Sequence, residues 1–131
     1  MTITSLEPLT DDRSFELRVA GVPALLVAKA FKIRDRLVSG KPSRLSDKDA
    51  SDVYRLATTA APAAVAIALG RLAESARVGA TARLGVGLVH EQFGVPRAPG
   101  VDMAVRALDG AVPEGRVRAI LSAFASELPE F

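Results

Sequence analysis

The sequence predicts an α+β fold that is mostly α: an N-terminal β-hairpin over residues 1–20, forming the edge of an incomplete sheet, and a bundle of about six helices over residues 21–131. Three observations predict it. Residues Ser14 to Val19 alternate, with Phe15, Leu17 and Val19 on one side and Glu16 and Arg18 on the other. From Pro23 onward the apolar residues recur at helical spacing. Pro and Gly residues punctuate that second region at intervals that suit short helices.

The hairpin comes first. Thr2-Ile3-Thr4-Ser5-Leu6 is a second short β-prone run, and Pro8 to Asp12 between the two runs reads as a turn. A lone hairpin is marginal in water, so it is expected to belong to a larger sheet. The first helix then opens at Pro23, whose missing N–H costs nothing in a first turn. It carries Val22, Leu26, Ile33 and Leu37 as a stripe and stops at the Ser39-Gly40-Lys41-Pro42-Ser43 break. The second helix starts near Asp47. Ser46 with Asp49 three residues on resembles a capping box, and Ala50, Val53, Tyr54 and Ala57 form its apolar face. Pro62 opens the third helix, with Val65, Leu69, Leu72 and Ala76 in register. The fourth spans about Ala80 to Phe93 and ends at Gly94. The fifth carries Val101, Val105 and Leu108 and stops at Gly110, and the sixth carries Val117, Ile120, Leu121, Phe124 and Leu128.

Length and composition set bounds on function. A chain of 131 residues fits one domain with a single core. Hydrophobic residues make up 49% and charged residues 24%, a balance that reads as globular rather than disordered. The absence of cysteine excludes disulfides and thiolate metal sites, and a single histidine, His90, makes no zinc site on its own. No signal pattern or membrane-spanning apolar run is visible, so a cytoplasmic protein without a membrane partner is expected. The net charge of +2 is too small to argue for nucleic acid. Its distribution says more, because Lys29, Lys32, Arg34, Arg36, Lys41, Arg44 and Lys48 crowd one segment that holds only Asp35 and Asp47 as acids. Such a segment is either a solvated face or a local field for phosphates.

The informative chemistry lies between Ala24 and Leu56. Lys29 interrupts the apolar stripe of the first helix, where an unpaired charge is costly to bury. Arg36 lies two turns on along the same side. The next helix offers Asp49 and Asp52 at i, i+3 on one face. The connection is short enough to make the two helices antiparallel neighbours, so Lys29 is expected to face Asp49, Asp52 or both. Such a pair is either a salt bridge that fixes helix register or a lysine held to grip a nucleotide phosphate, with a carboxylate that orients it or assists proton transfer. The other sites read as structural: His90 as a surface histidine, Gly85-Val86-Gly87 as close helix packing and Asp102 as a helix-start residue.

The run Val22-Pro23-Ala24-Leu25-Leu26-Val27-Ala28-Lys29-Ala30-Phe31-Lys32-Ile33-Arg34-Asp35-Arg36, followed by Lys48-Asp49-Ala50-Ser51-Asp52-Val53-Tyr54-Arg55-Leu56, resembles the third and fourth motifs of AbiEii-type nucleotidyltransferase toxins. In that family one helix carries a lysine and, further on, an arginine; the next carries a Lys/Arg-Asp-x-x-Asp-Leu-like run. Lys29 and Arg36 match the first pattern and Asp49 and Asp52 the second, with Val53 where leucine is common. The matched stretch covers about a quarter of the chain. The resemblance implies catalytic roles for Lys29, Asp49 and Asp52, nucleotide binding by Lys29 and Arg36, and a hairpin that ends the family's catalytic sheet. The family's Gly-rich turn and metal-binding acidic pair have no counterpart here. The resemblance therefore implies a fragment that is inactive alone, arising from a truncated gene, a late start codon or a half that needs a partner chain. Mg²⁺ and a nucleoside triphosphate are implied only for a complete member, and the implied partners are an antitoxin and the missing nucleotidyltransferase segment. One alternative is a non-enzymatic interaction module that recruits a partner, or a second copy of itself, through the hairpin edge; a second is a nucleic-acid-binding module using the basic Lys29–Lys48 segment, which the shortage of aromatics for stacking and the small net charge disfavour.

Overall fold

The protein is described by a computed structural model, which gives the backbone of residues 8–40 and 44–131 and the side chains of residues 21–40 and 47–131. Six helices follow one another: α1 Pro8–Ser39, α2 Arg44–Thr59, α3 Pro62–Ala73, α4 Gly79–Phe93, α5 Pro99–Leu108 and α6 Glu114–Ser126.

The described residues contain no strand, which corrects the α+β expectation to an all-helical fold. Ser14 to Val19, expected as the second strand of a hairpin, lies within α1, and so do the residues from Pro8 to Asp12 expected as its turn. The other expected strand, Thr2 to Leu6, lies outside the described residues. Three apolar residues at alternate positions are too short a pattern to exclude a helix, since Phe15 and Val19 are also four apart. The intervening Glu16, Leu17 and Arg18 are good helix formers. Pro8 occupies the first helical position, where proline is tolerated. With the hairpin go the division at residue 20 and the exposed strand edge as a recruiting surface for a partner or a second copy.

Pro23 does not open α1 but sits inside it, fully buried. A proline there removes one hydrogen bond, to the carbonyl of Val19, and crowds the preceding turn at a cost of about 3 kcal/mol. In a helix of 32 residues, about 48 Å long, the remaining bonds and the buried face carry the helix past it. Gly40, at φ +67°, ends α1 in the left-handed conformation that glycine adopts without penalty.

The remaining helices follow the sequence closely. α1 packs on α2, α3 and α4; α2 makes its broadest contact with α5; α6 closes the bundle against α2, α4 and α5. The shared core holds Leu26 and Ile33 of α1, Val53 of α2, Val65 and Leu69 of α3, Val86, Val89 and Phe93 of α4, Val101 of α5, and Val117 and Leu121 of α6, all fully buried. Small residues let the helices approach. A Cβ at Gly85 would come within 2.5 Å of Val27 Cγ1, so α4 meets α1 at a point that only glycine fits without adjustment. Gly87 on the same helix faces open space and has no such role. Leu37 falls outside the core at 44% exposure, and α3 ends at Ala73, so Ala76 is not part of its stripe. No single helix among the described residues is long and apolar enough to cross a membrane.

Candidate functional site

Helix spacing brings the predicted cluster together. Lys29 follows Leu26 by three positions and precedes Ile33 by four, so it sits at the border of the buried stripe of α1. On α2, Ala50, Val53 and Tyr54 turn into the core. Asp49 and Asp52 flank that face at i, i+3. When α1 and α2 pack, the three meet. The Lys29 Nζ lies 2.9 Å from Asp49 Oδ1 and 2.9 Å from Asp52 Oδ2. All three side chains are largely shielded, with 15%, 12% and 20% exposure for Lys29, Asp49 and Asp52.

The electrostatics follow from this geometry. Hydrogen bonds to Asp49 and then Asp52 raise the Lys29 ammonium above the usual lysine range and outweigh the burial that works against its charge. For Asp52, burial raises the carboxyl, but the Lys29 hydrogen bond and charge, assisted by Lys48, outweigh it and hold the group below the usual carboxylate range. Asp52 is the hub of the cluster. Its Oδ1 takes the Arg55 guanidinium at 3.0 Å, and Lys48 stands 3.5 Å from Oδ2. The Lys29 ammonium is thus clamped between the Asp49 and Asp52 carboxylates.

Arg36, expected to share the site, is half-buried near the end of α1 and engaged in contacts of its own. Among the described residues, the cations that reach Asp52 are Lys29, Lys48 and Arg55. Lys48 and Arg55 were legible as i, i+4 and i, i+3 partners of Asp52 on one helix. A further ion pair was not legible. Arg106 of α5 reaches Asp47 of α2 with Nε–Oδ2 3.3 Å and Nη2–Oδ1 3.1 Å, across 59 positions of sequence. Asp49 is spent on Lys29, and α2 begins at Arg44, before Ser46, so the capping-box reading of Ser46 and Asp49 is corrected. Side chains of residues 41–46 lie outside the described set.

Two other residues differ from their sequence reading. His90 is half-buried rather than on the surface, with Nε2 2.9 Å from the Pro129 carbonyl oxygen. Asp102 lies in the first turn of α5, as expected, but it is also an ion-pair partner of Arg118 at 2.8 Å. Arg118 also donates to the Pro96 carbonyl at 2.7 Å and to Glu114 at 2.8 Å, and so ties the α4–α5 loop to α5 and α6.

The donor set of the cluster does not suit a divalent metal. Its two carboxylates already share an ammonium, which stands where a cation would have to enter. Among the described residues no group of three or more His, Asp or Glu side chains could hold a metal ion. The cluster instead offers electrostatics: an ammonium with two of its three N–H groups engaged and one left for another acceptor, and a carboxylate pair that fixes its position. No family model, curated protein or solved structure matches this chain.

Proposed function

We propose that the chain is the helical C-terminal part of an AbiEii-type nucleotidyltransferase toxin, and that it does not transfer nucleotides by itself. The observation that supports this reading most is the meeting of Lys29 with both Asp49 and Asp52. Two motifs that resemble the family's third and fourth are separated in sequence and joined at one point in space. In this reading Asp49 and Asp52 position Lys29, and the remaining N–H of its ammonium turns to a triphosphate oxygen. The metal-binding carboxylates of the family would have to come from a segment this sequence does not contain, and an antitoxin is the other partner that the reading implies.

The test has two arms. Purified chain is incubated with each labelled nucleoside triphosphate, Mg²⁺ or Mn²⁺ and a pool of RNA and protein acceptors. No incorporation is expected. Label that survives repurification and vanishes in Lys29→Ala would overturn the inactive-fragment reading. In the second arm, triphosphate binding is followed by NMR. Shift changes at Lys29 and Leu25 that are lost in a folded Lys29→Met variant support the nucleotide-facing role; triphosphate binding unaffected by Lys29→Met removes it.

A further inference from the structure

A second charged site lies on the neighbouring face of α2, where Lys48 and Arg55 also reach Asp52. Between α2 and α5 an open cleft of about 520 Å³ is lined by Asp47, Lys48, Ser51, Arg55, Arg106 and Asp109, among others. Lys48, Ser51 and Arg55 follow one another at i, i+3 and i+7 on one face of α2, and Arg106 comes from the last turn of α5. The volume falls in the range of small-molecule sites, and the lining is charged rather than apolar.

The three cations are more than half exposed, at 65%, 64% and 55% for Lys48, Arg55 and Arg106. Each retains donors that its ion pair does not use. Lys48 makes one long contact of 3.5 Å with Asp52 and keeps two further N–H groups. Arg55 contacts Asp52 through Nη1, which leaves Nε and Nη2. Arg106 contacts Asp47 through Nε and Nη2, which orients the guanidinium and leaves Nη1. Asp47 is thus paired with Arg106, and among the described lining residues Asp109 is the acid outside an ion pair. Three cations on two helices around a small volume match an anion with several oxygens better than a single carboxylate.

We infer that the α2–α5 cleft binds a phosphate-bearing small anion through Lys48, Arg55 and Arg106. The inference does not rest on nucleotidyl transfer: Lys48 and Arg55 also pair with Asp52, but the anion would sit against α2 and α5, whereas Lys29 reaches α2 from α1.

The full chain is titrated with inorganic pyrophosphate at low ionic strength and followed by NMR and calorimetry. Saturable binding is expected, with shift changes at Lys48, Ser51, Arg55 and Ala107. Arg106→Gln weakens it about 10-fold or more, the loss of a charge-assisted hydrogen bond. Asp109→Asn discriminates by sign. Asp109 adopts φ 44°, which asparagine also tolerates, so the backbone is kept while one opposing charge is removed. An anion site tightens about 2-fold or more; weakening would mean that the cleft takes a cation and would overturn the inference. Lys32→Gln, an exposed cation outside the cleft, leaves the affinity within about 2-fold. Circular dichroism checks that each variant is folded, and Lys48→Gln replaces Arg106→Gln if the latter is not. Absence of saturable binding, or binding that ignores both cleft cations, overturns the site. Competition by a nucleoside diphosphate, orthophosphate and an unphosphorylated nucleoside decides the source. A diphosphate that outcompetes pyrophosphate assigns a nucleotide, equal competition by the phosphates assigns the free anion, and competition by the nucleoside alone overturns the phosphate assignment.

Discussion

Lys29 and Asp52 stand 23 positions apart in the chain and 2.9 Å apart in the fold, and the same ammonium lies equally close to Asp49. One cation on α1 is thereby held by two consecutive turns of α2. The contact is a register lock as well as a candidate binding element, and it can be tested through stability before any ligand is known.

Lys29→Ala should destabilise the fold by about 2–4 kcal/mol, because it strands two shielded carboxylates as well as deleting the bonds. Asp52→Asn should cost less, since Asp49 still holds Lys29. Urea unfolding of the two variants checks the order; equal losses, or none, would show that the cluster is not a stability element.

The pH dependence follows from the shifted groups. Asp52 has its folded carboxyl held below the unfolded value near 3.8, so its contribution is present above that value and is lost as pH falls through the lower folded one. Lys29 has its folded ammonium held above 10.5, so its contribution is full below 10.5 and is lost as pH rises through the higher folded value. Stability should thus fall at both extremes and stay level between them as far as this cluster is concerned. Thermal unfolding of wild type and Asp52→Asn across pH 2–5 should show the acid loss reduced in the variant.

Gly85→Ala should destabilise by about 1–3 kcal/mol, since the new methyl meets Val27 where α4 crosses α1. Gly87→Ala, two residues on in open space, should be neutral or stabilise by about 0.5–1 kcal/mol through helix propensity. The midpoint of chemical unfolding should fall for Gly85→Ala and stay level or rise for Gly87→Ala.

Arg118→Ala should lower Tm and loosen the loop between α4 and α5, because one guanidinium holds the Pro96 carbonyl, Asp102 and Glu114 together. Hydrogen exchange should quicken in residues 94–98 before it changes in α1 or α2. A uniform change throughout the chain would contradict the local role.

The all-helical body from Pro23 onward was legible in sequence because its signals are local. Apolar residues at i, i+3 and i+4, Pro62 at a helix start, and Gly40 and Gly110 at helix ends each act over a few residues. The pairing of Lys29 with Asp49 and Asp52 was legible for the same reason, since a charge in an apolar stripe needs a partner and a short connection limits which helix supplies it. Tertiary structure decided what local pattern left ambiguous. Ser14 to Val19 fits a strand and a helix alike by spacing, and α1 runs through it and through Pro23 as one long helix. The contact of Gly85 with Val27, the reach of Arg106 to Asp47 and the α2–α5 cleft join residues far apart in sequence. Those arise from how helices pack in three dimensions, and no period along the chain encodes which helix faces which.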